Sequence, residues 1–215
     1  MKRKNLGIAA GLLAAFALWT LVVCLIDVRS IGPHHSSVGL AGINQFVHNL
    51  TGVNFTLYHI TDWLGLVPVG VCMGFGILGL VQWIKRKHIC KVDWSILVLG
   101  GFYMITIAVY LLFERVVINY RPVLIGGVLE ASYPSSTTLL VMCVMPTAAM
   151  QLNARIQNSA FRRCAVFAII AFTAFMVIGR IFSGVHWITD IMGGALLSAG
   201  LVMMYRFAAQ LKGKV

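Results

Sequence analysis

CAVFAIIAFTAFMVIGRIFSGVHWITDIMGGALLSAGLVMMY, Cys164–Tyr205, decides the fold. Two oily runs, Cys164–Gly179 and Ile191–Tyr205, flank the short polar stretch GRIFSGVHWITD, which holds Arg180, His186 and Asp190. Charged groups are costly inside a bilayer and tolerable at its surface. The stretch therefore reads as a turn at a membrane face between two spanning helices.

The rest of the chain agrees. Of its 215 residues 60% are hydrophobic and 11% charged, whereas a soluble domain has about 25% charged residues. An all-helical soluble core would need polar helix faces that this sequence lacks. About 20 apolar residues cross a bilayer. Charge-free runs of that order occupy Asn5–Ile26, Trp63–Ile84, Trp94–Phe113 and Ala131–Ala154. With the two runs above they predict an all-α bundle of six transmembrane helices, at about 6–26, 63–84, 94–113, 136–152, 163–181 and 187–208. No repeat divides the chain, so residues 1–215 are expected to form one integral membrane domain.

The net charge of +11 does not point to nucleic acid. Alternating spans put 13 of the 17 Lys and Arg on one side: Lys2, Arg3 and Lys4, then Lys85, Arg86, Lys87 and Lys91, then Arg155, Arg162 and Arg163, then Arg206, Lys212 and Lys214. The positive-inside rule places that side, with both termini, in the cytoplasm and GRIFSGVHWITD at the outer face. The opening MKRKN and its apolar run resemble a signal peptide, but the run exceeds an h-region and no A-x-A follows, so a retained anchor is expected. The five cysteines are scattered and form no metal or disulfide pattern.

Between Asp27 and Asp62 lies the longest connection. In it, apolar Val38, Leu40, Ile43, Phe46, Val47 and Leu50 fall on one face of a helix capped by Ser36 or Ser37, expected to lie on the membrane surface. His34, His35, His48 and His59 have no ligand-spaced Cys or carboxylate, and are taken as solvated loop residues rather than metal ligands.

Three outer segments carry most of the remaining polarity. If the last helix begins near Val185, His186 and Asp190 are four apart and share a face, so the carboxylate can accept the imidazole Nδ1–H and leave Nε2 bare. An Arg–Asp ion pair with a nearby interfacial His is the plainer reading of that pattern alone. NYRP adds Arg121, and YPSSTT sets Ser135, Ser136 and Thr137 at a helix start, whose free N–H groups and hydroxyls suit an anion. Ordinary capping is the plainer reading of Pro-Ser at a helix start. Two arginines, an anion-binding helix start and an oriented histidine on one face together favour phosphate chemistry. A transporter would carry its charges at midspan, whereas here they gather at the span ends.

ERVVINYRP, PSST and GRIFSGVHWITD, in this order, resemble the three motifs of the type 2 phosphatidic acid phosphatase (PAP2) superfamily: K-x6-R-P, P-S-G-H and S-R-x5-H-x3-D. The resemblance covers the six-helix layout, and the third motif is the most specific. It implies a hydrolase acting on a lipid phosphate or polyprenyl diphosphate through a phosphohistidine, without metal or other cofactor, in the plasma membrane of a bacterial host. By the same resemblance His186 is the nucleophile, Asp190 its orienting carboxylate, and Arg121, Arg180 and Ser135 bind phosphate, with Ser136 and Thr137 beside them.

Three positions depart from the motifs. Gly179 replaces a serine. Glu114 replaces the lysine, leaving Arg115 to turn inward or pair with it. Thr137 replaces the histidine that protonates the leaving group, and a missing general acid costs about 10²–10⁴ in rate. The loss favours diphosphates, whose phosphate leaving group needs a proton less, or else a substitute acid, with His34, His35, Glu130 and Tyr133 as candidates. It also leaves open a protein that binds lipid phosphates without hydrolysing them. Nothing in the sequence addresses oligomeric state.

Overall fold

The computed structural model describes residues 2–212, Lys2 by its backbone alone; Lys214 lies outside them. The apolar runs become helices α1 (Lys2–Leu25), α2 (Ala41–Thr51), α3 (Phe55–Leu64), α4 (Leu66–Arg86), α5 (Trp94–Arg115), α6 (Ser136–Arg155), α7 (Ser159–Ser183) and α8 (Ile188–Ala209). Among the described residues, six stretches are long and apolar enough to cross a membrane: α1, α3 with α4, α5, α6, α7 and α8. The all-α, six-span bundle expected from the sequence is the fold observed.

Consecutive spans run antiparallel, so two ends of the bundle can be told apart. One end carries the basic clusters. There Asp93 accepts from Arg86 (2.9 Å) and Arg155 (3.0 Å), Trp94 Nε1 donates to Ala208 O (3.0 Å), and Asn5 Nδ2 donates to Gln210 (3.0 Å). The connections α1–α3, α5–α6 and α7–α8 meet at the other end.

α6 and α8 form the centre. About 50% of the apolar part of α6 and 61% of that of α8 is buried, against 11% for α1. Small residues explain how α8 reaches that position, since close helix approach in lipid needs them. Gly193 lies under the Tyr133 ring, Gly200 under Leu13, and Ser198 Oγ bonds Gly194 O (2.7 Å) and reaches Leu139 O (3.3 Å). Outward side chains such as Leu18, Trp63, Ile77, Met104 and Phe167 stay exposed, as lipid-facing positions must.

Two local expectations need correction. The surface helix starts at Ala41, not after Ser36 or Ser37, because Arg29 and Val38 exchange backbone hydrogen bonds (3.1 and 2.9 Å) and draw both serines into a small hairpin. Leu40, in the left-handed region, precedes it without a side-chain cap. Ile43, Phe46 and Leu50 still face outward, while Asn44 on the other face bonds Thr189 Oγ1 (2.9 Å) and Gly39 O (2.8 Å). The second span starts at Phe55, eight residues before Trp63. Asn54 caps it through Leu57 N (2.9 Å), and the helix breaks at Gly65. Asp62 is thereby a helical residue rather than the end of a loop.

The α7–α8 turn depends on Gly184, at φ +64°, where a Cβ would lie 1.8 Å from Gly52 O. Gly184→Ala should cost more than about 1 kcal/mol and lower the detergent melting temperature. Gly11→Ala, with nothing within 4 Å of its added Cβ, serves as control; equal melting of the two variants would contradict this packing.

Candidate active site

Three segments converge at the end away from the basic clusters. The α5–α6 connection folds into a hairpin. Tyr120 bridges to Ala131 and Ile125 to Val128, with Gly126 and Gly127 at φ +57° and +81° in the turn. Two consecutive left-handed residues are what a tight hairpin of the right twist requires. The hairpin fixes Arg121, whose N–H bonds Glu130 O (3.0 Å). Trp187 Nε1 ties the α7–α8 turn to it through Tyr120 O (2.8 Å).

His186 lies before the first turn of α8, so it shares no helical face with Asp190. Asp190 is instead fully buried and caps α8 through Trp187 N–H (Oδ2, 3.0 Å). It also accepts from Asn119 Nδ2 (Oδ1, 3.0 Å) and Ser132 Oγ (Oδ2, 2.5 Å). The expected direct contact of Asp190 with the imidazole is replaced by Ser132, whose Oγ is 2.9 Å from His186 Nδ1. Proton counting then assigns every role. Arg121 Nη1, 3.3 Å from Nε2, can only donate. Nε2 of the neutral ring is therefore the acceptor and Nδ1 carries the hydrogen. Ser132 Oγ accepts that hydrogen and gives its own to Asp190. Burial holds the His186 pKa well below 6.5, and the charges of Arg121 and Arg180 push the same way, so at neutral pH Nε2 is an uncharged base.

Two guanidinium groups stand beside it. Arg180 is 1% exposed; its Nη2 donates to Asp62 Oδ1 (3.1 Å) and Thr137 Oγ1 (2.5 Å), while Nε and Nη1 have no partner among the described residues. Arg121 Nε lies 3.0 Å from Glu130 Oε2, an ion pair without a directed hydrogen bond. The Tyr58 ring lies 5.1 Å from the Arg180 guanidinium and 6.0 Å from that of Arg121. Among the described residues, no group of His, Cys, Asp or Glu could hold a metal ion.

A model of the PAP2 superfamily matches residues 102–212, which include the hairpin, the α6 start and the α7–α8 turn. The chain belongs to the PAP2 superfamily. No curated protein matches it. Among solved structures, it is similar to the crystal structure of the first transmembrane PAP2 type phosphatidylglycerolphosphate phosphatase from Bacillus subtilis. The two share 19% identity over 95% of this chain and 98% of that one, with a TM-score of 0.56. The protein is thus a multi-pass membrane protein with the fold of a membrane lipid phosphatase.

The remaining PAP2-motif positions divide. Ser135 is buried at the start of α6; its N–H bonds Asp190 O (3.0 Å) and its hydroxyl accepts from Thr138 (3.1 Å). Ser136 and Thr137 line a cavity beside Arg180. Tyr133, considered above as a substitute acid, turns into the core instead. Its hydroxyl pairs with Thr20 (2.7 Å), its ring stacks on Phe16, and burial pushes its pKa up. Glu114 lines a small space with Tyr110, Ser132 and Ser136. Arg115 is exposed and, among the described residues, makes no ion pair with Glu114, so it does not turn inward. His34 and His35 sit in an exposed turn. Ser132, Asn119, Asp62 and Tyr58 were not singled out from the sequence. Ser132 alone had a signal, two residues before the motif proline.

Ser132→Ala cuts the link between Asp190 and the imidazole without touching Nε2. Phosphate release should fall about 10–100-fold, the range for groups that orient a metal-bound imidazole, in kcat more than in KM. An unchanged kcat would show that the hydroxyl has no such role.

Proposed function

We propose that this PAP2 protein hydrolyses a lipid phosphate or diphosphate through a phosphohistidine on His186. The observation that carries the proposal is Arg180: a buried guanidinium with two nitrogens, Nε and Nη1, left unpartnered among the described residues. Buried donors are ordinarily satisfied. Each of these N–H groups can donate a charge-assisted hydrogen bond to a phosphoryl oxygen. Arg121, in contact with Nε2, supplies the second positive charge.

The steps follow from these groups. Phosphoryl oxygens settle on Arg180 and Arg121. Nε2 attacks phosphorus in line with the ester oxygen, and the arginines stabilise the charge that develops on the equatorial oxygens. Through Ser132, Asp190 steadies the cationic ring that forms. Water then attacks the phosphohistidine and frees phosphate. The asymmetric placement of Lys and Arg supports a site at the outer face with both termini in the cytoplasm. The outward face of α2, with Ile43, Phe46 and Leu50, suits a helix lying in that interface. The similar solved structure is named a phosphatidylglycerolphosphate phosphatase, which adds that lipid to the substrates worth assaying.

A second reading is lipid-phosphate binding without turnover. Thr137 in the place of the motif histidine favours it, as do the carboxylates already resting on both arginines.

The test is a phosphate-release panel in detergent over phosphatidic acid, phosphatidylglycerolphosphate and a polyprenyl diphosphate, with His186→Ala as blank. The wild type should release phosphate from at least one and His186→Ala from none, while the variant still binds the lipid; full activity of the variant contradicts the mechanism. The low His186 pKa sets the pH dependence. A depressed pKa keeps Nε2 unprotonated as pH falls, so the acid limb of kcat/KM should lie below pH 6.5. A limb at or above that value would mean the imidazole is not held as described.

A further inference from the structure

We infer that Asp62 is the proton donor to the leaving group, in the role that Thr137 cannot fill; this rests on the phosphoryl-transfer reading above. The geometry points to it. A cavity of about 360 Å³ opens beside Arg180 between α4, α5 and α6. Leu66, Ile107, Leu139 and Leu140 make most of its wall apolar, and Asp62, with Thr137, forms part of the polar end. Asp62 Oδ1 and Thr137 Oγ1 share the same Arg180 nitrogen. A carboxyl group therefore stands where the phosphate pocket meets an apolar space suited to a lipid chain, at the motif position that lacks its histidine. A leaving oxygen joins phosphate to chain and must lie at that junction.

The other acids are placed elsewhere. In-line displacement sets nucleophile and leaving group on opposite sides of phosphorus. Glu130 rests on Arg121, the arginine that touches Nε2, and so stands on the nucleophile's side. Glu114 is absent from the cavity lining, and the Tyr133 hydroxyl is engaged with Thr20. Asp62 pairs with the other arginine, and its Oδ2 makes no hydrogen bond among the described residues.

The step balances. Nε2 bonds phosphorus as the P–O bond to the lipid breaks. With the phosphate bound beside it, the solvent-exposed Asp62 carboxylate takes a proton from water, and the departing oxygen takes that proton and leaves as an alcohol. The Asp62 carboxylate then takes a proton from the water that attacks the phosphohistidine, which restores both side chains and releases inorganic phosphate.

Asp62→Asn keeps an oxygen for Arg180 and removes the acid. Dodecyl phosphate and dodecyl diphosphate share a chain but differ in leaving group, an alcohol against a phosphate. For purified full-length protein, the variant should lose about 10²–10⁴ in kcat on dodecyl phosphate and less than about tenfold on the diphosphate. Equal losses on both would mean a merely structural role, and unchanged turnover of the monophosphate would mean that Asp62 donates no proton; either overturns the inference. His186→Ala, run alongside, should abolish turnover of both. If it does not, the phosphohistidine reading fails independently of Asp62.

Discussion

The site depends on one buried carboxylate. Asp190 accepts hydrogen bonds from Asn119, Ser132 and Trp187 N–H, so the α5–α6 connection and the start of α8 are joined at a single side chain. Removing any donor leaves a charged acceptor short of a partner inside the protein, at a cost of about 1–3 kcal/mol or more. The same contacts decide the chemistry. Because Ser132 must give its hydrogen to Asp190, it must take one from Nδ1, and Nε2 is left as the free base of the ring. Helix capping and imidazole orientation are thus one interaction.

Charge balance around the imidazole is equally constrained. Each arginine holds one carboxylate, Asp62 on Arg180 and Glu130 on Arg121, and both lie near the Tyr58 ring. The pairing lets two cations stand close together in a buried place before any anion arrives. Glu130, 41% exposed, and Asp62, 58% exposed, both reach solvent. Arg180, 1% exposed, cannot move aside, and its Nε and Nη1 have no partner among the described residues.

The sequence was informative where physics acts locally or through composition. Charge-free runs of spanning length gave six helices, and basic clusters marked one end of the bundle, because a bilayer imposes both rules on any chain. It was weaker wherever a contact joins distant segments. Four-residue spacing put His186 and Asp190 on one face, but α8 begins at Ile188, after the histidine, and a serine 54 positions upstream fills the gap. Asp62 meets Arg180 across 118 residues, and its own neighbourhood read only as the edge of an apolar run. Tyr133 looked available because loop residues usually are, yet Gly193 leaves room for its ring in the core.

The central claim is that Nε2 of His186 takes up phosphorus, and the most direct measurement is to look for that bond. Purified protein, mixed briefly with a ³²P-labelled lipid phosphate and quenched in alkali, should carry label on His186 alone. Mass spectrometry and ³¹P NMR should place it on Nε2, with no label on His186→Ala. A turning-over enzyme with no trapped label, or label on any other residue, would contradict the account.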